Sequence, residues 1–179
     1  MGSDSTINMS KLYHIGCRRG EVGRYVLLPG DPGRVPMIAS LLDDAKEISH
    51  NREYLTYTGT LLGEKVSVTS TGMGCPSTAI AVEELAIAGA DTFIRVGTSG
   101  PMQDFIEAGD LLIAWGAIRD EYTSKQYVPP EYPAPSAYHN KLTGVCQTSL
   151  PHQQHIYRST LQIRITTRHP THPIIHLYS

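Results

Sequence analysis

The chain has 179 residues, 40% hydrophobic and 18% charged, a composition typical of a globular protein with one sizeable domain. The net charge of −2 gives no electrostatic reason to expect nucleic acid or an anionic membrane as a partner. No apolar run approaches the roughly 20 residues of a membrane-spanning helix, and the polar N-terminus lacks the apolar core of a signal peptide. We therefore expect a cytoplasmic location, in which the three widely spaced cysteines stay reduced.

The first predicted elements are a buried strand and a short helix with a glycine-rich turn between them. The strand, 25–29, is apolar and runs into the turn GDPGR. Residues 34–42 then carry apolar side chains at helical spacing. Residues 52–72 contain two strand-like stretches joined by a hairpin around 62–65. The second stretch, 66–69, alternates valine with hydroxyl residues, which predicts a half-buried strand.

The clearest helix is predicted over 75–89, with Pro76 suited to its first turn and Gly89 to its C-terminal end. Glu83 and Glu84 lie to the sides of its apolar stripe. Further strands are predicted over 91–97 and 110–121. The order strand, turn, helix, strand indicates a layered α/β domain. A proline-rich stretch, YVPPEYPAPSAY, is predicted to form a surface loop.

Glycine-rich turns follow three of the predicted strands: PGDPGR, STGMGCPS and RVGTSGPM. Ligands of open α/β sheets bind beyond the carboxyl ends of strands, where glycine lets backbone N–H groups approach an anion. Arg95 ends an apolar run, where a charge without a partner would be costly, so one interpretation is an anion site. The other is three ordinary turns, because glycine supplies the dihedral angles that turns require and no Walker or dinucleotide fingerprint is complete.

Taken together and in this order, the motifs resemble the uridine phosphorylases of the nucleoside phosphorylase-I family. The resemblance runs from about Leu12 to Gly144 and is carried by LLPGDPGRVPMIASLL, SHNREYLTYTGTLLGEKVSVTSTGMGCPSTAIAVEELAIAGADTFIRVGTSG and GDLLIAWGAIRDE. It implies a twisted mixed central sheet flanked by helices. It also implies a pentosyltransferase that cleaves a pyrimidine nucleoside reversibly with inorganic phosphate, giving the base and ribose 1-phosphate.

The resemblance also implies roles for individual residues, with Arg95 and Thr98 as the catalytic pair. The phosphate-binding positions are matched by Gly30, Arg34, Arg52, Arg95 and Thr98. The ribose- and base-binding positions are matched by His14, Thr98, Ser99 and Gly100. Positions that hold a monovalent cation between subunits in some relatives are matched by Glu53, Met73 and Ser77. No other cofactor is implied, and inorganic phosphate is the co-substrate.

Assembly follows from the same resemblance. Relatives form dimers grouped into hexamers, and the residues that match His14 and Arg52 reach the site of the neighbouring subunit. We therefore expect a homo-oligomer. Three arginines around one phosphate favour phosphorolysis over hydrolysis, because water as a nucleophile needs no such binding site.

The composition changes abruptly at Cys146, since residues 146–179 contain no Asp, Glu, Lys, Gly or Ala but five of the eight histidines. We therefore predict an incomplete α/β domain over 1–145 and an unrelated tail over 146–179, arising from a shifted reading frame or remaining disordered. The stretch LQIRITT within it alternates like a strand. The histidine spacing suits metal ligands on one helical face, but Pro170 and Pro173 oppose a helix.

The family segment that carries the acidic ribose ligand, and the glutamine and arginine that read uracil, has no counterpart in this sequence. A complete nucleoside site is therefore not expected from this chain. Two alternatives to a uridine-cleaving enzyme stay open. One is a non-catalytic fragment that binds phosphate or a nucleoside, and the other is a fragment of a purine nucleoside phosphorylase.

Overall fold

The computed structural model describes residues 10–98 and 121–127 with their side chains, and 111–113 and 161–167 as backbone strands. The chain divides into two compact units, one running to Phe93 and the other beginning at Ile94. Within the described ranges, no helix combines the length and apolar character needed to cross a membrane.

The first unit contains a mixed sheet, as predicted. Its strands are β1 (Tyr25–Pro29), β2 (Asp43–Asn51), β3 (Tyr54–Leu61) and β4 (Glu64–Thr69), in the spatial order β2-β3-β4-β1. The pairs β2–β3 and β3–β4 are antiparallel, whereas β1 and β4 are parallel. The helices are α1 (Val35–Ala39), which follows a 3-10 turn over Pro32–Arg34, and α2 (Cys75–Ala88). Helix α1 is shorter than the predicted 34–42, and α2 agrees with the predicted 75–89.

Strand β5 (Thr92–Val96) begins beside β1. The N–H groups of Asp91 and Thr92 both donate to the carbonyl oxygen of Arg24, at 3.0 and 3.1 Å. The guanidinium of Arg24 also pairs with Asp91 at 2.6 Å. These contacts fix the point at which the chain leaves α2 and enters the predicted strand 91–97.

Helix α1 covers one face of the sheet. The core on this side consists of Val35, Ala39, Leu42, Leu55, Val66 and Val68. Leu55 is contributed by β3, and Val66 and Val68 lie two residues apart on β4, so both valines point to the same face. Of the apolar positions that predicted the helix, Val35 and Leu42 are buried in this core and Ile38 packs against it, whereas Leu41 is 77% exposed.

The opposite face of the same strands is also buried, which makes the predicted half-exposure of 66–69 wrong. Thr56 Oγ1 lies 3.0 Å from Thr69 Oγ1, and Thr58 Oγ1 lies 2.7 Å from Ser67 Oγ. Both are directly opposed cross-strand pairs. Because each hydroxyl supplies a hydrogen-bond partner to the other, these polar side chains are buried without an unsatisfied group.

Strand β2 was not predicted, because its sequence DDAKEISHN has no apolar alternation. It lies at the end of the four-strand order, and most of its residues are exposed or half-buried. Charged residues such as Lys46 and Glu47 are common on edge strands, where they oppose pairing with another sheet. A polar edge strand therefore carries little of the periodicity by which strands are predicted.

The second unit contains the rest of β5 together with β6 (Leu111–Ile113), helix α3 (Thr123–Tyr127) and β7 (Leu161–Thr167). Strands β6 and β7 are parallel, with Leu111 opposite Leu161. The alternating stretch LQIRITT is thus a strand. The rest of the predicted strand 110–121, most of the proline-rich loop and the predicted boundary near 145 lie outside the described residues.

Candidate functional site

Two of the three glycine-rich turns lie against each other. The N–H of Thr71, in the turn that follows β4, donates to the carbonyl oxygen of Pro29, the last residue of β1, at 2.9 Å. Strands β1 and β4 are parallel neighbours, so their carboxyl ends meet at one edge of the sheet. This is the edge at which open α/β sheets bind ligands.

The turn after β1 is held by its own aspartate. Asp31 Oδ1 accepts a hydrogen bond from the N–H of Gly33 at 2.8 Å, and the Asp31 carbonyl accepts one from Arg34 N–H at 3.1 Å. Gly30 and Arg34 stand on either side of this cap, and both are half-buried. Two predicted phosphate-binding residues are therefore brought together within a single capped turn.

The turn after β4 is built around Gly72, whose φ is +69°. A Cβ at this position would lie 2.8 Å from Glu53 Cγ and 3.0 Å from Ser77 Oγ, so only glycine fits between them. Ser77 Oγ also donates to the carbonyl oxygen of Thr71. Met73 follows with 96% of its surface exposed. Of the three residues predicted to hold a cation, Met73 thus lies in this turn, and Glu53 and Ser77 pack against its Gly72.

The turn after β5 holds Arg95 close to its own strand end. Arg95 Nη1 donates to the carbonyl oxygen of Val96 at 2.6 Å, and the side chain is half-buried. A Cβ at Gly97 would come within 3.1 Å of the same nitrogen. Thr98 is exposed, and Ser99 and Gly100 lie outside the described residues. Among the predicted site residues that the structure describes, Arg95 and Thr98 belong to the second compact unit, and the others belong to the first.

His14 is anchored by Glu84 of helix α2, a residue that no sequence motif singled out. The Glu84 carboxylate accepts hydrogen bonds from His14 N–H at 3.0 Å and from Ile15 N–H at 2.9 Å. His14 Nδ1 lies 2.6 Å from Glu84 Oε1. A carboxylate on the side of a helix is usually exposed to solvent, so the sequence of α2 alone gives no sign of this role. The contact with His14, 70 residues away in the chain, reveals it.

Asn51 ties the same segment to the turn that contains Arg52. Asn51 Nδ2 donates to the carbonyl oxygens of His14 and Tyr13, at 2.7 and 3.2 Å. Arg52 follows directly, exposed and with φ of +54°, in the turn between β2 and β3. The two residues predicted to reach a neighbouring subunit are therefore held close together on this chain.

The surroundings of Cys17 are not those of a nucleophile. Cys17 is fully buried, and burial raises the pKa of its thiol to about 11 despite a hydrogen bond to Thr56 that opposes the shift. Because the thiolate is the reactive form, Cys17 is inert at neutral pH. Cys75 is buried at the start of α2. Within the described part of the chain, no three His, Cys, Asp or Glu residues form a group that could hold a metal ion.

The comparison with known proteins gives consistent results. The family model of the phosphorylase superfamily matches residues 24–169. A uridine phosphorylase from Thermococcus kodakarensis is 66% identical over 122 residues, covering 68% of this chain and 44% of that protein. A guanosine phosphorylase from Halorubrum lacusprofundi is 46% identical over 130 residues, covering 73% of this chain and 54% of that protein.

A solved structure gives the same result for the fold. The crystal structure of a uridine phosphorylase from Vibrio fischeri matches with a TM-score of 0.75 and 39% identity, over 86% of this chain and 64% of that one. The chain thus spans about half the length of the curated relatives it matches. Because the family model covers most of the sequence, the chain belongs to the phosphorylase superfamily.

Proposed function

We propose that this chain carries the phosphate-binding half of an enzyme that cleaves uridine with inorganic phosphate, giving uracil and ribose 1-phosphate. The observation that carries the proposal is the meeting of two glycine-rich turns at the carboxyl edge of β1 and β4, tied by the bond between Thr71 and Pro29. Uridine is chosen because two curated relatives, 66% and 60% identical to this chain, are uridine phosphorylases.

In this proposal the phosphate is bound by Gly30, Arg34, Arg95 and Thr98, with Arg52 contributed by a neighbouring subunit. A backbone N–H at Gly30 and the planar donor groups of the arginines suit a phosphate dianion. Catalysis then consists mainly of positioning and preorganised electrostatics, because the arginine side chains hold in place the phosphate, which is the nucleophile.

The reaction proceeds by breaking the glycosidic bond while positive charge develops on the sugar. The bound phosphate stabilises this charge and one of its oxygens forms the new bond to C1′. The base leaves with the bonding electron pair and takes up a proton. In the proposed site, Thr98, Ser99 and Gly100 contact the ribose and base, and His14 of a neighbouring subunit meets the ribose 5′-hydroxyl. This arrangement requires a homo-oligomer.

A monovalent cation at the subunit boundary is part of the same proposal. The aliphatic part of the Glu53 side chain and the Ser77 hydroxyl both pack against Gly72. The carboxylate of Glu53 and the hydroxyl of Ser77 supply oxygen donors of the kind that hard cations prefer. At Met73 the main-chain carbonyl is the suitable donor, because a thioether is a soft ligand.

The test is a product assay with uridine, inosine, guanosine and adenosine, each with phosphate present and omitted. We expect uracil and ribose 1-phosphate to be released from uridine only when phosphate is present. Release of uracil without phosphate would contradict the proposal, since it would indicate hydrolysis.

Two further candidate functions rest on specific observations. The identity with a guanosine phosphorylase favours a purine substrate, in which case guanosine is cleaved in preference to uridine. The other candidate is a fragment that binds phosphate or a nucleoside without turnover, which needs only the two glycine-rich turns that meet at the carboxyl edge of β1 and β4. In that case phosphate raises the melting temperature, because it binds the folded state, while no nucleoside is cleaved.

A further inference from the structure

Glu84 and His14 are 70 residues apart in the chain but share a compact set of hydrogen bonds. Both oxygens of the Glu84 carboxylate are engaged, Oε1 by His14 Nδ1 at 2.6 Å and Oε2 by the N–H groups of His14 and Ile15. The Glu84 side chain is only 13% exposed, whereas that of His14 is 34% exposed. The carboxylate is thus largely buried beneath an imidazole that reaches the surface.

This arrangement determines where the imidazole carries its proton. An ionised carboxylate only accepts hydrogen bonds, so His14 Nδ1 must be the donor. Nε2, on the far side of the ring, is then the nitrogen left to meet a ligand. The ring of Tyr13 packs edge-on against His14 with centroids 4.9 Å apart, which further restricts the ring orientation.

The backbone on which His14 stands is also fixed. Leu12 and Cys17 close a short loop through a hydrogen bond of 2.9 Å, and Gly16 N–H donates to the Leu12 carbonyl at 3.0 Å. Asn51, at the end of β2, binds the His14 carbonyl from the other direction. The loop is therefore held from α2 by Glu84 and from β2 by Asn51.

We propose that Glu84 is a positioning residue for ribose recognition, which fixes the His14 imidazole with its proton on Nδ1 and presents Nε2 to the 5′-hydroxyl of a nucleoside. The inference rests on the proposed function in one respect, the nucleoside as ligand. Glu84 itself touches no substrate, and its effect passes entirely through His14.

The proton position can be measured without turnover, by nitrogen-15 NMR of the imidazole rings. The His14→Gln variant identifies the His14 signals. We expect Nδ1 to be protonated in the unmodified chain and in Glu83→Gln, a control that removes the adjacent carboxylate of the same helix. In Glu84→Ala the neutral imidazole should become a mixture of two tautomers, one protonated on Nδ1 and the other on Nε2. A neutral ring in the unmodified chain with its proton on Nε2, or a ring unchanged in Glu84→Ala, would overturn the proposal.

Catalysis gives a second measurement, in which Glu84→Gln keeps the side-chain shape but loses one acceptor. We expect the unmodified protein to prefer uridine over 5′-deoxyuridine by about tenfold in kcat/KM, the effect of one hydrogen bond. Both Glu84→Gln and His14→Gln should abolish most of this preference, and Glu83→Gln should keep it. If Glu84→Gln lowers kcat/KM equally for both substrates, its role is structural and the proposal is wrong.

The two measurements separate the inference from the function on which it rests. Absence of turnover by the unmodified chain would count against the proposed function alone. The proton position on His14 would then still support or overturn the positioning role of Glu84.

Discussion

Gly97 leaves the space into which the guanidinium of Arg95 folds, since a Cβ at residue 97 would lie 3.1 Å from Arg95 Nη1. The same nitrogen donates to the Val96 carbonyl at 2.6 Å, so the arginine lies back along the end of its own strand. The glycine and the arginine of the motif RVGTSG are therefore a geometric pair. The absence of a side chain at Gly97 thus determines where the guanidinium of Arg95 can lie.

The substitution Gly97→Ala should therefore displace Arg95 while changing the stability little. The atom it meets is the flexible end of a side chain, so we expect a change of less than about 1 kcal/mol in the free energy of unfolding. The rise in melting temperature caused by phosphate should nevertheless shrink markedly. Thermal denaturation with and without phosphate measures both quantities.

Gly63→Ala serves as the matched control, because Gly63 has φ of +83° and nothing within 4 Å of its added Cβ. It should lower stability but keep the full response to phosphate. A full response in Gly97→Ala would show that Arg95 does not depend on the space at Gly97.

Gly72→Ala should destabilise the protein more than Gly63→Ala does. Both glycines have positive φ, so alanine costs about 1 kcal/mol of backbone strain at either position. At Gly72 the new Cβ also collides with Glu53, which adds about 1–3 kcal/mol for overpacking. Urea denaturation of the two variants measures the difference, and equal midpoints would mean that Glu53 and Ser77 do not pack around Gly72.

The buried hydroxyl pair of Thr56 and Thr69 should behave as a coupled unit. Either single change to valine leaves one buried hydroxyl without its partner and should cost about 1–3 kcal/mol. The double variant should cost clearly less than the sum of the two, because no hydroxyl is left unpaired. Thr60→Val, on the same strand but only half-buried, is the control with little expected effect. Additive costs in urea denaturation would argue against the pair.

The thiol of Cys17 should make stability depend on pH in the alkaline range. Its pKa is raised from 9.0 to about 11 by burial, so above pH 9 the unfolded chain loses this proton while the folded chain keeps it. Stability contributed by the thiol is complete below pH 9 and falls by about 1.4 kcal/mol per pH unit towards pH 11. The variant Cys17→Ala lacks this pH-dependent contribution to the free energy of unfolding.

The measurement is the free energy of unfolding of both proteins from pH 8 to pH 10.5. The advantage of the unmodified chain over Cys17→Ala should decrease above pH 9, and a constant difference would contradict the buried thiol. The pKa of Tyr54 is also raised by burial, but this group is common to both proteins and cancels.

Local signals in the sequence predicted the strands and helices that possess them. Strand β1 ends at a glycine-rich turn, the β3–β4 hairpin turns at Gly63, and α2 begins near Pro76 and ends at Gly89. Each of these residues constrains the backbone of its own segment, so a short window of sequence contains the information. Strand β2 lacks such signals, because the partner strand and not the local pattern makes it a strand.

The site was predicted less completely, because its contacts join distant segments. Glu84 differs little from Glu83 in the sequence, and only the position of His14 distinguishes them. The contact of Thr71 with Pro29 likewise depends on β1 and β4 being parallel neighbours, which no local pattern determines. Roles for Arg34, Arg52 and Arg95 came from family resemblance, and they stay predictions until phosphate binding is measured.

The most direct test is the phosphate-dependent rise in melting temperature of the unmodified chain, Arg95→Ala and Arg19→Ala. A ligand at 100 times its Kd stabilises the folded state by about 2.7 kcal/mol, which corresponds to a rise of several degrees. We predict this rise for the unmodified chain and for Arg19→Ala, which removes an exposed arginine of the same charge, and its loss in Arg95→Ala. No rise in the unmodified chain, or an undiminished rise in Arg95→Ala, would contradict a phosphate site built on this arginine.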